Sequence, residues 1–222
     1  MQLLPFENRD SLPYGMSKAG YWSHDAMEKL IEKSSRILDV GCATGYFMIR
    51  LSQAKGSDCV GIESNKSAAH IARQLGFQVL EYDIDDGFSN VDNIGKFRHI
   101  IFGDVLEHTK NPLQILESAK ELLDDGGSVI VSLPNIVSLA IRVKVLLGKW
   151  RYTETGILDA SHLRFFSVIT AREFVLDAGY RIESEDFVGP LSFKFGENGK
   201  KIINLWPNLL CNQMIFKIKP KV

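Results

Sequence analysis

The stretch that decides the fold is Ile37-Leu38-Asp39-Val40-Gly41-Cys42-Ala43-Thr44-Gly45-Tyr46-Phe47. Its apolar beginning, residues 37–40, is typical of a buried parallel strand, and a turn that contains glycine follows at once. Apolar residues at helical spacing come next. A strand, a turn and a helix in this order place unpaired backbone N–H groups at the turn, where glycines let a ligand approach. The stretch therefore predicts a ligand-binding turn, here called the cradle (residues 41–45).

The spacing of the glycines narrows the choice of ligand. The dinucleotide fingerprint G-x-G-x-x-G needs a glycine five positions after the first, but Tyr46 stands there and Gly45 comes one residue early. Glu63 ends the next predicted strand, about twenty residues beyond the cradle, where an acid meets a ribose in nucleotide-binding βαβ units. Its carboxylate would accept hydrogen bonds from both ribose hydroxyls. A surface acid before the next helix is the alternative, and the pairing with the cradle favours the ribose role.

Composition limits the class of protein. The 222 residues suit one α/β domain, residues 1–222, with little to spare for a second. The net charge of −1 argues against a nucleic-acid-coating surface. Three cysteines without a C-x-x-C pair predict a reduced cytoplasmic protein with no structural zinc site. No apolar signal core begins the chain, and the longest apolar stretch, 129–147, is too interrupted to span a bilayer.

Predicted strands and helices alternate along the chain, which is typical of a mainly parallel sheet with helices on both faces. An irregular arm over 1–20 and the first helix make up an N-terminal segment, 1–35, in which Ser23 is the predicted N-cap. Residues 134–166 form an insertion, and 136–161 within it a lid over the acceptor pocket. Residues 124–127 are predicted to turn and 189–208 to be loop-like. The predicted helices are 21–33, one beginning at 47, 67–75, 111–123, 136–147 and 168–178; the predicted strands are 37–40, 59–63, 77–82, 97–102, 128–133, 180–188 and 210–218.

Several motifs in succession resemble those of the class I S-adenosylmethionine (SAM) methyltransferases. They are Leu38-Asp39-Val40-Gly41-Cys42-Ala43-Thr44-Gly45, Gly61-Ile62-Glu63, Asp83-Ile84, Asp104-Val105-Leu106-Glu107-His108, Gly126-Gly127, Leu133-Pro134-Asn135 and His162-Leu163-Arg164-Phe165-Phe166. The chain is similar to the methyltransferases of ubiquinone biosynthesis, and residues 131–148 together with the turn Asp85-Asp86-Gly87 resemble the MetW-type proteins of methionine biosynthesis. Ala43 departs from the family, most of whose members have glycine there, and we expect a slightly tighter turn without loss of function.

The resemblance implies a Rossmann-like, doubly wound sheet of seven strands, mostly parallel with an antiparallel last strand. It also implies S-adenosyl-L-methionine as the cofactor. Asp83 would accept a hydrogen bond from the exocyclic amine of the adenine, and Ile84 would cover the face of the ring. The alternative is that this pair only belongs to an acidic turn without a binding role. The cofactor-binding residues expected in this way are Asp39, Gly41, Cys42, Ala43, Gly45, Glu63, Ser64, Asp83, Ile84, Gly103 and Asp104.

His108 and His162 are the candidate catalytic residues, because an imidazole titrates near neutral pH and can remove a proton from the acceptor. Each could instead be a buried structural histidine. A second interpretation groups Asp104, Glu107, His108 and His162 as metal ligands, which resembles the metal sets of small-RNA 2′-O-methyltransferases and of some ubiquinone O-methyltransferases. We favour the interpretation without a metal, because ligand types alone do not show that the side chains converge.

Two functions follow from these expectations. The first is SAM-dependent O-methylation (EC 2.1.1.-) of a hydroxyl on a small or medium metabolite. The alternative is a MetW-like protein with a methyltransferase fold that supports a partner enzyme, and a homodimer also stays open. RNA methylation lacks support, since the sequence has no cluster of basic and aromatic residues that would favour a nucleic-acid partner.

Overall fold

The computed structural model describes residues 18–89, 91 and 94–221, and seven of its strands form one sheet. The order across the sheet is β3-β2-β1-β4-β5-β7-β6. The strands are β1 Arg36–Val40, β2 Asp58–Glu63, β3 Gln78–Glu81, β4 Phe97–Gly103, β5 Leu123–Pro134, β6 Tyr180–Val188 and β7 Gln213–Pro220. The last strand, β7, lies between β5 and β6 and is antiparallel to both. The predicted seven-stranded sheet with an antiparallel last strand is confirmed.

The chain reverses its direction of winding at β1. It runs outward from β1 to β2 and β3, then returns to β4 on the other side of β1, so that β1 pairs in parallel with both β2 and β4. In such a sheet the ligand crevice lies outside the carboxyl ends of the strands at this switch point. The cradle follows β1 directly and therefore lies at that crevice.

Helices cover both faces of the sheet. They are α1 Lys18–Lys29, α2 Tyr46–Lys55, α3 Lys66–Gln74, α4 Pro112–Ser118, α5 Leu139–Leu146, α6 Val168–Asp177, α7 Pro190–Leu205 and α8 Pro207–Leu210. Neighbouring residues of the central strands contribute to opposite layers of the core: Ile37 and Ile101 pack on one face, and Leu38 and Ile100 on the other. Because both faces are buried, these strands are mainly apolar on both sides instead of alternating.

The structure corrects the predicted N-terminal segment. The first helix already includes Lys18, so that Ser23 lies inside it, buried, and is not its N-cap. Residues 18–20, predicted to belong to the irregular arm, are helical. The rest of the predicted arm, residues 1–17, lies outside the described residues.

Three further predictions in the second half of the chain are wrong. The helix after Asn111 ends at Ser118 and passes into a 3₁₀ turn. Residues 124–127 are part of β5, where a register shift against β4 accommodates the two glycines. Residues 190–205 are helical although the sequence predicts a loop. The helix α7 is kinked at Gly196, and Gly199 lets its backbone pack against that of Leu191, where a Cβ would not fit.

One helix presents an apolar surface to solvent. Residues of α5 and the segment after it expose large hydrophobic side chains, and we call this surface the α5 patch: Leu139, Val143, Val145, Leu146, Leu147, Trp150 and Tyr152. Among the described residues, every helix is too short or too polar to cross a lipid bilayer.

Candidate functional site

The cradle is built from left-handed backbone. Gly41, Ala43 and Gly45 have φ angles of 72°, 47° and 82°, and Gly45 immediately precedes α2 as its N-cap. A Cβ on Gly41 would lie 2.5 Å from Cγ2 of Val105, so glycine is required there by space as well as by backbone. Ala43 adopts the same region with a Cβ, a conformation that costs an L-residue about 1–2 kcal/mol. The turn thus exposes backbone at the helix N-terminus, as the sequence predicts.

Glu63 holds the cradle from the next strand. Its Oε2 accepts from the backbone N–H of Ala43 at 2.9 Å, and its Oε1 accepts from the N–H of Asn65 at 2.7 Å. Asn65, which the sequence analysis missed, caps α3 by accepting from the N–H groups of Ser67 and Ala68. The carboxylate has further lone pairs, so it can bind a ligand hydroxyl while it fixes the turn.

A cleft of about 340 Å³ opens beside the cradle at the carboxyl ends of the strands. Six of the twelve residues that line it are predicted cofactor-binding residues, and the sequence analysis did not assign the other six to the cofactor. The predicted ones are Gly41, Glu63, Ser64, Asp83, Ile84 and Asp104; the others are Ile62, Tyr82, Asp85, Val105, Thr109 and the candidate catalytic residue His108. Asp83 also accepts from the N–H of Asp85, which shapes the turn between β3 and β4.

The remaining predicted cofactor residues support the cleft without lining it. Asp39 is buried within β1, and burial together with the charge of Glu63 raises the pKa of its carboxyl to about 7. Cys42 is buried beneath the cradle, where a Cβ on Gly61 would lie 2.5 Å from its Sγ. Ala43 and Gly45 shape the turn, and Gly103 ends β4. Their expected contacts with a cofactor stay predictions.

Asp104 is anchored by strands from the far half of the chain. Its backbone is left-handed, with a φ of 57°, and its Oδ1 accepts from Ser132 Oγ at 2.9 Å and from Gln213 Nε2. Burial raises the pKa of this carboxyl, although both hydrogen bonds oppose the shift. Because its side chain is held by β5 and β7, Asp104 lies apart from the group that the other three candidate metal ligands form.

Glu107 connects two loops that are distant in sequence. Its backbone carbonyl accepts from the N–H groups of both Leu163 and Arg164, at 2.8 and 3.0 Å. This places His162 beside the 3₁₀ turn Leu106–His108, with the ring centroids of His108 and His162 4.6 Å apart. Nε2 of His162 lies 4.0 Å from Oε1 of Glu107. The two candidate catalytic histidines therefore lie side by side, but only His108 is among the residues that line the cleft.

The carboxylate of Glu107 is buried without a hydrogen-bond partner. The residue is 0% exposed, and neither Oε1 nor Oε2 has a partner within the described part of the chain. Nδ1 of His162 is buried as well. Burial, with the charge of Asp104 second, raises the pKa of Glu107 well above its ordinary value. Burial also lowers the pKa of His162, and His108 adds to that shift.

A hydrogen-bond chain through Ser161 to Asp159 orients the ring of His108. Ser161 Oγ lies 3.0 Å from His108 Nδ1 and donates to Asp159 Oδ1 at 2.6 Å. Because the hydroxyl proton of Ser161 is used on Asp159, its oxygen accepts from Nδ1–H, which leaves Nε2 of His108 as the nitrogen with the free lone pair. The sequence analysis missed Asp159 and Ser161, since no periodicity or motif marks them.

Comparison with known proteins adds a family match. The model of a family described as methionine biosynthesis protein MetW matches residues 22–218. The mitochondrial ubiquinone biosynthesis O-methyltransferase of Dictyostelium discoideum is 26% identical over 125 residues, 50% of this chain and 39% of that protein. The tRNA U34 carboxymethyltransferase of Vibrio vulnificus is 29% identical over 126 residues, 55% of this chain and 38% of that protein. The chain thus spans about two fifths of the length of these relatives.

A solved structure shows the same fold. The SAM-dependent methyltransferase from Archaeoglobus fulgidus superimposes with a TM-score of 0.63 at 16% sequence identity, over 91% of this chain and 94% of that one. At this identity the likeness concerns the fold alone. The chain therefore has the class I methyltransferase fold that its motifs predict.

Proposed function

This chain belongs to the MetW family of methionine biosynthesis proteins, and from that membership and its cleft we propose that it is a SAM-dependent methyltransferase. The observation that carries the proposal is the cradle itself, whose left-handed turn is held by Glu63 at the switch point of the sheet. Gly41 and Gly45 give close access to the backbone at the N-terminus of α2, while the remaining lone pairs of Glu63 can accept from the ribose hydroxyls. Asp83 and Ile84 bind the adenine in the proposal, and Asp104 lies at the methionine end.

The proposed reaction is O-methylation of a small or medium metabolite. SAM supplies a methyl group on a sulfonium; the S–CH₃ bond breaks, an O–CH₃ bond forms, and the acceptor hydroxyl loses its proton. His108 lines the cleft beside Asp104 and Thr109, so it is the candidate catalytic side chain that can reach an acceptor there. His162, the other candidate, packs against the ring of His108 and does not line the cleft. The ubiquinone O-methyltransferase among the relatives supports oxygen as the methylated atom, whereas the tRNA enzyme leaves the acceptor class open.

A second candidate function is support of a partner enzyme by a chain that retains the cofactor fold. The α5 patch favours it, because contiguous exposed apolar surface marks sites of protein interaction. Trp150 and Tyr152 in this patch belong to the residue types that dominate interface energies.

One pair of measurements tests both functions. Isothermal titration calorimetry should detect S-adenosylhomocysteine (SAH) binding at one site per chain. Incubation of the purified protein and methyl-labelled SAM with a metabolite extract should then yield a labelled small molecule, identified by mass spectrometry. SAH binding without a labelled product from the protein alone would favour the partner function. Absence of SAH binding, with binding of NAD in its place, would contradict the first function entirely.

A further inference from the structure

We propose that Glu107, His108 and His162 bind one divalent transition-metal ion at the acceptor side of the cleft. Each of the three residues can offer one ligand atom, and these atoms all lie within 4.8 Å of one another. Two imidazoles and one carboxylate are the ligands of many zinc and non-haem iron sites. In a tetrahedral site with bonds of 2.0–2.1 Å, ligand atoms are about 3.4 Å apart. The most widely separated donors therefore need to approach by up to about 1.4 Å, a shift that rotation of the side chains can supply.

The unpartnered carboxylate of Glu107 is the observation that points to an ion. A buried carboxylate is ordinarily paired with a cation or hydrogen-bonded, because removal from water is costly for a charge. Here both oxygens are buried and without a partner among the described residues, and the residue is fully inside the protein. His162, at 4.0 Å, is too far for a hydrogen bond. A cation between Glu107 and the two histidines would bind one of these oxygens and balance the charge of the carboxylate.

His108 carries the outer hydrogen bonds that a metal-binding histidine needs. Metal-ligating histidines donate their second ring N–H to a carboxylate, a carbonyl or a similar acceptor, which fixes the tautomer. Nδ1 of His108 donates to Ser161 Oγ, and Ser161 in turn donates to Asp159. Nε2 is then deprotonated and available as a ligand. The two hydrogen bonds to the Glu107 carbonyl hold the second loop, with His162, at the same place.

Asp104 is excluded from the proposed ligand set, although the sequence pattern includes it. Its Oδ1 is occupied by Ser132 and Gln213, and it is not in the group of atoms that converge. The geometry therefore points to three ligands from two loops. Because only three protein ligands converge, a position on the ion remains for water or for an oxygen of the acceptor. In that case His108 acts as a ligand and not as the base.

The role of the ion toward the acceptor rests on the proposed function, but ion binding does not. An ion held beside the cleft would supply Lewis-acid chemistry toward an acceptor hydroxyl. The substrate class that fits is an oxygen acceptor that can bind a metal, such as a catechol or a hydroxy acid. Zinc binding is measurable without SAM or acceptor, and SAH binding is measurable without zinc. Failure of one is therefore distinguishable from failure of the other.

The test is titration of the chelator-treated, dialysed full chain with Zn²⁺ by calorimetry and with Co²⁺ by visible absorption. We expect one ion per chain and a Co²⁺ spectrum that Zn²⁺ abolishes. Glu107→Gln and His162→Gln should each bind at least about tenfold more weakly, and Ser161→Ala, a change behind the ligand His108, should lose about tenfold. His70→Gln, an exposed histidine of α3, is the matched control and should bind like the wild type. SAH affinity and circular dichroism verify that each variant is folded.

A stability measurement separates an ion site from a structural contact between Glu107 and His162. With EDTA present, Glu107→Met should melt at least as high as the wild type, because it removes an unpartnered buried carboxylate. With Zn²⁺ present, the order should reverse, since only the wild type gains from the ion. A wild type that binds neither Zn²⁺ nor Co²⁺, a folded Glu107→Gln variant that binds Zn²⁺ as tightly as the wild type, or a Glu107→Met variant that is less stable in EDTA would overturn the proposal.

Discussion

Replacement of Glu63 by alanine should weaken SAH binding by about 10- to 150-fold. The proposed ribose contacts are hydrogen bonds to a charged group, which contribute about 1.5–3 kcal/mol, and each 1.4 kcal/mol is a factor of ten. The same change removes the two hydrogen bonds that fix Ala43 and Asn65 in the free protein. Both N–H groups are exposed enough to bind water afterwards, so we expect a loss of stability of only about 1–2 kcal/mol. Glu63→Gln keeps one acceptor oxygen, so its SAH affinity should lie between those of the wild type and Glu63→Ala.

Calorimetry with SAH is the appropriate assay, because SAH lacks the sulfonium charge and its affinity reports hydrogen bonding instead of charge attraction. Glu81→Ala is the matched control. Glu81 is the register partner of Glu63 on β3, and its ion pairs with Lys66 and Arg73, at 3.4 and 3.9 Å, lie away from the cradle. The control should change the dissociation constant less than about twofold. An unchanged SAH affinity in a folded Glu63→Ala variant would refute the ribose role of Glu63. An equal loss of SAH affinity in Glu81→Ala would show that the effect is not specific to Glu63.

Three further predictions concern the cradle, the core and the lid. Gly41→Ala should cost about 1–3 kcal/mol in urea unfolding, because its Cβ would meet Val105 in a left-handed turn, and Val105→Ala in the same chain should restore part of that loss. Burial lowers the pKa of His99 to about 4, so the unfolded chain, titrating near 6.5, takes up the proton first as pH falls. The wild type should therefore lose about 3 kcal/mol more than His99→Gln between pH 6.5 and 4, and parallel urea curves for the two proteins would contradict this. Amide hydrogen exchange over residues 136–161 should be fast in the free protein and slower with SAH and acceptor bound, and strong protection without ligand would make the segment a fixed part of the core.

The sequence by itself determined the elements whose signals are local. An apolar run before the cradle predicts β1, and the left-handed turn after it favours glycine at positions 41 and 45. The same holds for β6, whose predicted bounds, 180–188, are those observed. These features depend on backbone preferences and burial within a few residues, so a window of sequence contains the information.

The sequence did not predict the bounds of elements whose ends depend on contacts with distant residues. Residues 124–127 look like a turn, yet they belong to β5, because the strand pairs with β4 on both sides of them, at Leu123 and at Ser128, across a register shift. The helix α7 forms in a segment rich in glycine and lysine, because Gly199 packs against the backbone at Leu191 and Ile203 is buried in the core. Tertiary contacts there outweigh weak helix propensity.

The candidate site divides in the same way. The cradle and Glu63 were predictable, because their spacing follows from one βαβ unit. The sequence also suggested Glu107, His108 and His162 as ligands together with Asp104, but it could not show which of them converge, since this depends on two backbone hydrogen bonds between loops more than fifty residues apart. The hydrogen bond from Gln213 to Asp104 likewise depends on the position of the last strand, β7, which runs antiparallel beside β5. Which side chains converge is decided only by the tertiary structure, because hydrogen bonds between distant segments have no counterpart in the local sequence.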